Sequence, residues 1–248
     1  MRRFFIDSAE QGNLSLSLTG QEAQHAARVI RVQEGEKMTV LNGKGGEFLC
    51  LVRGVSKSLV TLDVLEYKKV PPLLCQITLL QSVPRAGVME EIIQKATELG
   101  VCRIIPLVTE RTEVKFSGKD FDAKLQKWNL IAQEACKQCG NTWLPKIEKP
   151  QSFKDCLGNC PEANIAFVAS LEQDSRPVRY WKSKNFFNAK GTISATLWVG
   201  PEGDFSPTEY AALKENRVYP ITLGSLVLRC DTAVISALSI IGAELGNS

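Results

Sequence analysis

Apolar positions recur with one rhythm before residue 70 and another after it. In the first part they form short runs, Lys37 to Leu41, Glu47 to Val55 and Ser58 to Glu66, parted by NGKGG and by Ser56-Lys57. Short strands joined by close, glycine-bearing turns predict a small β-barrel. One helical stretch, Gln21 to Val29, interrupts them. Lys68-Lys69-Val70-Pro71-Pro72 then reads as a linker, because paired prolines favour extended chain and stop regular structure. Beyond it, strand Cys75 to Gln81 leads to a helix from Val88 to Leu99, on which Met89, Ile92, Ile93 and Ala96 form an i, i+3, i+4, i+7 stripe. Strand Cys102 to Val108, a helix from about Asp120 to Gln138, and strands at Ile165 to Ala169, Leu197 to Val199 and Tyr219 to Leu223 follow. Strands alternating with helices predict an α/β domain with a parallel sheet. The pattern therefore divides the chain at residues 1–70 and 73–248.

Two of the later strands run into glycine turns. After Val199 comes Gly200-Pro201-Glu202-Gly203, then Ser206-Pro207-Thr208-Glu209, a capping box with proline at the first helical position. After Leu223, Gly224 opens a loop through Leu226, Val227, Leu228 and Arg229, and a helix begins near Asp231. Ligands of α/β proteins bind at such strand ends. Two such loops side by side predict a pocket made largely of backbone groups and apolar walls; an ordinary strand-to-helix turn or core packing would use the same residue types.

Composition narrows the function classes. With 248 residues and 44% hydrophobic content the chain can bury one large or two modest cores. No apolar stretch approaches the roughly 18 residues needed to span a bilayer, and the MRRFFI start is too short for a signal peptide, so a cytoplasmic protein without membrane partner is expected. The net charge of +3 gives slight support to a nucleic-acid partner. A single histidine excludes a Ser-His-Asp triad and multi-histidine metal sites. Neither GxxxxGK[ST] nor an early GxGxxG is present, which argues against ATP, NAD and the glycine loop of Rossmann-type methyltransferases. Cys136 with Cys139 and Cys156 with Cys160 mimic the spacing of a four-thiolate zinc site, but the first pair falls inside a helical pattern, and no metal is expected.

GPEG-D-F-S-x-x-E followed by LG-x-x-V-L-R-x-D-T-A resembles the cofactor end of the RsmE family, SPOUT-class methyltransferases of 16S ribosomal RNA. MRRFFI, LTGQEAQHAARVIRVQEGE, MEEIIQKATELGV and EACKQCGN resemble the same family in the same order, so the likeness covers nearly the whole chain. The resemblance implies a PUA-like RNA-binding barrel before a trefoil-knotted SPOUT domain, a homodimer, S-adenosylmethionine as cofactor, and methylation of N3 of a uridine in the small ribosomal subunit. It places the cofactor against Val199, Gly200, Pro201, Gly203, Leu223, Gly224, Leu226, Val227 and Leu228, with Ser170 and Leu171 as a third wall.

Within that reading Arg229 polarises the uracil carbonyls, and Glu202 is a candidate proton acceptor. The competing role for Arg229 is a buried ion pair with Asp231 or Glu202, since a cation in an apolar segment calls for a partner. Arg2, Arg3, His25, Arg28 and Arg31 in the first domain, and Arg85, Lys95, Arg111 and Lys115 in the second, are candidate RNA contacts. The chain departs from the family where a basic residue is usual: Val88, Asn141 and Leu226. Asp204 replaces the second glycine of GPEGG, and Asp231 a glutamate. A SPOUT enzyme with another RNA target, and a non-catalytic ribosome-assembly protein that kept the fold, remain as alternatives.

Overall fold

A computed structural model describes residues 2–85, 87–113, 118–184 and 191–246. It contains two compact units, one of residues 1–72 with 133–144, the other of 73–132 with 145–248. Residues 133–144 thus count with the first unit, whereas the hydrophobic pattern assigned them to the second.

In the first unit, β1 (Arg3–Phe5), β2 (Ser15–Thr19), β3 (Lys37–Leu41), β4 (Gly46–Val55) and β5 (Leu59–Lys69) form one sheet in the order β1-β3-β4-β5-β2. All pairs are antiparallel except β1 with β3. Register shifts at Leu49/Cys50 and Val52/Gly54 bend the long β4–β5 pair. The strands wrap one core holding Phe4, Leu18, Val40, Phe48 and Leu62. The predicted helix is α1 (Gly20–Gln24) running into a wide π turn, His25–Ile30, which ends at Arg31 in a left-handed conformation, φ 56°.

In the second unit, β6 (Cys75–Ser82), β7 (Arg103–Val108), β8 (Lys146–Ile147), β10 (Ile165–Ala169), β11 (Ile193–Val199) and β12 (Val218–Ile221) lie in the order β12-β10-β11-β6-β7-β8, and β9 (Gln151–Ser152) pairs with β7 as well. Every pairing is parallel. The helices are α2 (Val88–Glu98), α3 (Gly118–Cys139), α4 (Phe153–Gly158), α5 (Val178–Lys184), α6 (Pro207–Glu215) and α7 (Cys230–Leu245). Most residues of β6 and β11 are buried, the polar Thr78, Gln81, Ser82 and Thr196 included, as in a parallel sheet covered on both faces. One face packs Leu80, Val168 and Trp198 on Phe205, Tyr210 and Leu213 of the α6 region. On the other, α7 packs against β11, β6 and α2.

Two boundaries differ from expectation and matter for the site. Strand β11 begins four residues before Leu197, and β12 stops at Ile221, two residues before Leu223. Leu223 is therefore loop, because Thr222 already donates to the Arg176 carbonyl (3.2 Å) outside the sheet.

Candidate active site

Strands β12, β10 and β11 are neighbours and parallel, so their C-terminal ends open at the same edge of the sheet. The three loops that leave them enclose a cavity of about 530 Å³. That size suits a small molecule. The loop after β10 gives Ser170 and Leu171, the loop after β11 gives Gly200, Pro201 and Glu202, and the loop after β12 gives Leu223, Gly224, Leu226, Val227, Leu228 and Arg229. Val199, the last residue of β11, forms the floor. Among the residues expected around a cofactor, Gly203 alone is not in this lining. It faces the Arg111 side chain instead, where an added Cβ would sit 3.5 Å from Cδ, an ordinary contact.

Close approach explains the glycine that matters in that turn. A Cβ on Gly200 would lie 3.0 Å from Asp204 Oδ1 and 3.1 Å from the Phe205 nitrogen. The turn closes when Asp204 N–H donates to the Pro201 carbonyl (2.9 Å). Asp204 stands at φ 62°, a conformation that favours glycine. Its carboxylate offsets the strain, because Oδ1 accepts from its neighbour Phe205 N–H (2.8 Å) and from Tyr210 Oη (2.9 Å). Aspartate can thus stand where the family pattern has glycine. The capping box forms as predicted: Ser206 Oγ accepts from Glu209 N–H, and Glu209 Oε2 accepts from Ser206 N–H.

Behind this turn lies a small polar cluster. Gln81 Nε2, at the end of β6, donates to the Ser82 carbonyl (2.7 Å) and to Cys230 Sγ (3.2 Å), and the Cys230 thiol donates to the Gly200 carbonyl (3.4 Å). Burial pushes that thiol up to about 12, so it keeps the proton it donates. Helix α7 is tied in this way to the first glycine of the turn.

The third loop is open. Gly224 has φ 127°, and Leu226 and Val227 are 75% and 79% exposed although both line the cavity. Arg229 is the N-cap residue of α7, its carbonyl accepting from Ala233 N–H (2.8 Å). Its side chain is exposed rather than buried, and no ion pair joins it to Asp231 or Glu202 among the described residues. Glu202 is exposed too, and its Oε1 accepts from Arg85 N–H (3.0 Å).

The pattern missed several lining residues: Asp204, the start of α7 (Cys230, Asp231, Ala233), and Val88 with Glu91 on α2. Val88 and Glu91 lie three apart, one position off the buried stripe of α2. Their helical spacing was legible, but nothing in the sequence says that α2 meets α7.

The RNA methyltransferase domain family matches residues 71–242, and the RNA methyltransferase PUA domain family matches residues 18–65. Ribosomal RNA small subunit methyltransferase E of Bacillus subtilis is 30% identical over 98% of this chain and 97% of its own. The protein of the same name from Aquifex aeolicus is 32% identical over 96% of this chain and 97% of its own. A Legionella pneumophila methyltransferase solved in complex with bound SAM superposes with a TM-score of 0.87 at 29% identity, covering 97% of this chain and 96% of that one. The chain belongs to the ribosomal RNA small subunit methyltransferase E family. A PUA unit followed by an α/β unit with a parallel sheet is the architecture its resemblance implied.

Against that family background the cations expected to meet RNA sort into two groups. Most are already engaged. Arg2 pairs with Glu36 (3.0 Å), and Arg3 Nη1 donates to the carbonyls of Lys137 (3.2 Å) and Gln138 (3.1 Å). Arg85 makes a bidentate pair with Glu113 (3.0 and 2.8 Å); the hydrogen bonds raise the Arg85 pKa further and hold the Glu113 carboxyl below its usual range. Lys95 pairs with Glu98 (3.0 Å), and Arg111 Nη1 donates to the Gly203 (2.6 Å) and Phe205 (3.4 Å) carbonyls. Arg28 and Arg31 are exposed and have no ion pair among the described residues. His25 is half-buried, edge-on to Phe4 with ring centres 6.2 Å apart. Lys115 lies outside the described residues. Asn141, where family members usually carry arginine, accepts from Trp143 N–H (2.9 Å) and shapes the turn after α3. The buried thiols of Cys136 and Cys156 are pushed up to about 12 by burial.

Proposed function

We propose that this chain is an S-adenosylmethionine-dependent methyltransferase that modifies N3 of a uridine in 16S ribosomal RNA of the small subunit. The observation that carries the reading is the cavity at the three strand ends, with its apolar walls and one arginine without an ion pair among the described residues. Those residues fit the cofactor. The main chain at Glu202 and along the 223–228 loop offers polar groups to an adenine edge, and Leu171, Leu223, Leu226 and Val227 offer apolar walls. Bound there, S-adenosylmethionine supplies a methyl group activated by its positively charged sulfur.

The protein's own part is positioning and charge. Arg229 stands at the cavity wall, its guanidinium without an ion pair among the described residues and so placed to donate to the uracil carbonyls as N3 loses its proton. The negative charge then spreads onto oxygens that a planar guanidinium can meet, which stabilises the anion. The Glu202 carboxylate lines the same cavity and is the candidate for taking that proton, directly or through water. Arg28 and Arg31 of the PUA unit, exposed and without an ion pair among the described residues, supply cations for RNA phosphate. The trefoil threading and the homodimer implied by the resemblance, and the cytoplasmic location expected from composition, belong to the same proposal.

The test is mass spectrometry of small-subunit RNA from cells with and without this protein, with methyl transfer to purified small subunits in vitro. A methylated uridine that disappears with the protein, carrying its methyl on N3, is the expected result. Methylation at another nucleotide would move the target, and no transfer at all would overturn the reading.

A further inference from the structure

Within the loop that carries Gly200–Ser206, Asp204 N–H donates to the Pro201 carbonyl and Phe205 N–H to Asp204 Oδ1, and its other ties go to its neighbours. Chief among them is the segment that follows β7. Arg111 lies along Gly203 and its Nη1 donates to the carbonyls of Gly203 (2.6 Å) and Phe205 (3.4 Å). The preceding residue adds a second tie. Glu110 N–H donates to Glu209 Oε1 (3.0 Å), while the other oxygen of that buried carboxylate caps Ser206 (2.9 Å). The segment is itself rooted in the sheet. Ser82 Oγ, Thr109 Oγ1 and Thr112 Oγ1 close a triangle of hydroxyl contacts at 2.9, 3.0 and 2.8 Å, and Thr109 N–H donates to Thr112 Oγ1 (2.9 Å).

We infer that Arg111 is a positioning residue for the cofactor loop and not an RNA contact. The cavity is lined by residues 200–202 and 204, whereas the carbonyls of 203 and 205 are held by Arg111 from the other side. Arg111 Nη1 is committed to two main-chain carbonyls, and turning it toward a phosphate would break both bonds. Releasing them would loosen the turn whose residues 200–202 and 204 line the cavity. The assignment rests on the proposed function only in naming S-adenosylmethionine as the ligand; the clamp on the loop stands without it.

The experiment compares the full-length protein with Arg111→Ala and Arg111→Lys in three measurements. Hydrogen exchange over residues 200–209, without ligand, should speed up at least tenfold in Arg111→Ala and less in Arg111→Lys, which can reach one carbonyl but not both. Calorimetry should show S-adenosylmethionine affinity falling at least tenfold in the alanine variant with partial recovery in lysine. Affinity for small-subunit RNA, and its slope against salt, should stay as in wild type. Unchanged exchange and cofactor affinity, with weaker RNA binding and a salt slope reduced by about one, would identify a phosphate contact and overturn the inference. Should wild type bind no S-adenosylmethionine, the proposed function fails while the exchange result still decides the role of Arg111. If the alanine variant does not fold, the lysine variant carries the same three measurements, and wild-type exchange in it overturns the clamp.

Discussion

Arg229 separates backbone duty from side-chain duty. Its carbonyl begins α7, a role any residue fills, while its guanidinium is exposed at the cavity. Arg229→Ala should therefore leave the melting temperature nearly unchanged, as exposed substitutions usually do. Single-turnover methylation should fall by about two to three orders of magnitude, the scale for losing one preorganised donor to a developing anion. Lysine should recover part of the rate. A lowered melting temperature with normal turnover per folded molecule would make the residue structural. Glu91 gives a second forecast at this scale. It lines the cavity with no hydrogen bond or ion pair among the described residues, and the methyl donor carries one more positive charge than the demethylated product. For opposite charges about 4 Å apart, Coulomb's law gives about 1 kcal/mol in water and about 4 kcal/mol at an effective dielectric of 20, and less at greater separation. Glu91→Gln should then weaken S-adenosylmethionine relative to S-adenosylhomocysteine by roughly threefold to fiftyfold in calorimetry. Glu215→Gln, an exposed charge outside the cavity lining, controls for net charge and should leave the ratio alone. Equal losses for both ligands would remove Glu91 from this role.

Among the elements, the β7 edge holds the clearest pH dependence. Arg103 pairs with Glu148 just after β8, Lys146 joins at 3.3 Å, and Gln151 Nε2 donates to the second oxygen (3.0 Å). Burial alone would raise the Glu148 pKa, but Arg103 and Lys146 outweigh it and the net shift is downward from 4.5. A carboxyl depressed in the folded state contributes stability above its unfolded value, and that contribution is lost as the pH falls through the folded value. Glu148→Gln should thus lower the melting temperature at pH 7 and narrow the gap to wild type below about pH 4. A constant gap from pH 7 to pH 3 would show that the charge does not matter. Elements were legible where burial imposed a pattern: β6, β10, α2 and the Ser206 capping box follow from apolar runs, a stripe and local polar chemistry. β8 and β9, two residues each, carry too little pattern to read. The π turn at His25–Ile30 escaped because a 3.6-residue period cannot register an i, i+5 helix. The cavity was legible from its glycine turns and from resemblance, while Val88 and Glu91 depended on packing between helices that only the fold supplies.

For the whole molecule, the boundary at Pro72 is a poor place to cut. The first unit includes residues 133–144, and their contacts are specific. Lys137 is 7% exposed and held by Glu22 and Glu134, both at 2.6 Å. Trp143 Nε1 donates to the Val70 carbonyl (3.1 Å), Lys69 lies 5.0 Å over its ring, and Gly45 has no room for a Cβ because that ring would be 2.5 Å away. Arg3 caps the carbonyls at the end of α3. A protein of residues 73–248 keeps Lys137 and Trp143 but loses Glu22, Val70, Gly45 and Arg3. Stripping a buried charge of one partner costs roughly 3–5 kcal/mol where it stays buried. Here the lysine is also uncovered, so part of that cost returns as hydration, and what remains is an exposed apolar ring and an uncapped helix end. The truncated protein should therefore melt at a lower temperature than the full chain and aggregate more readily, in addition to methylating small subunits poorly for want of its PUA unit. Lys137→Gln with Trp143→Ser in the truncated protein should reduce aggregation without restoring methylation. A truncated protein that melts with the full chain in differential scanning calorimetry would show that residues 133–144 need nothing from residues 1–72, and the fall in methylation would then belong to RNA docking alone.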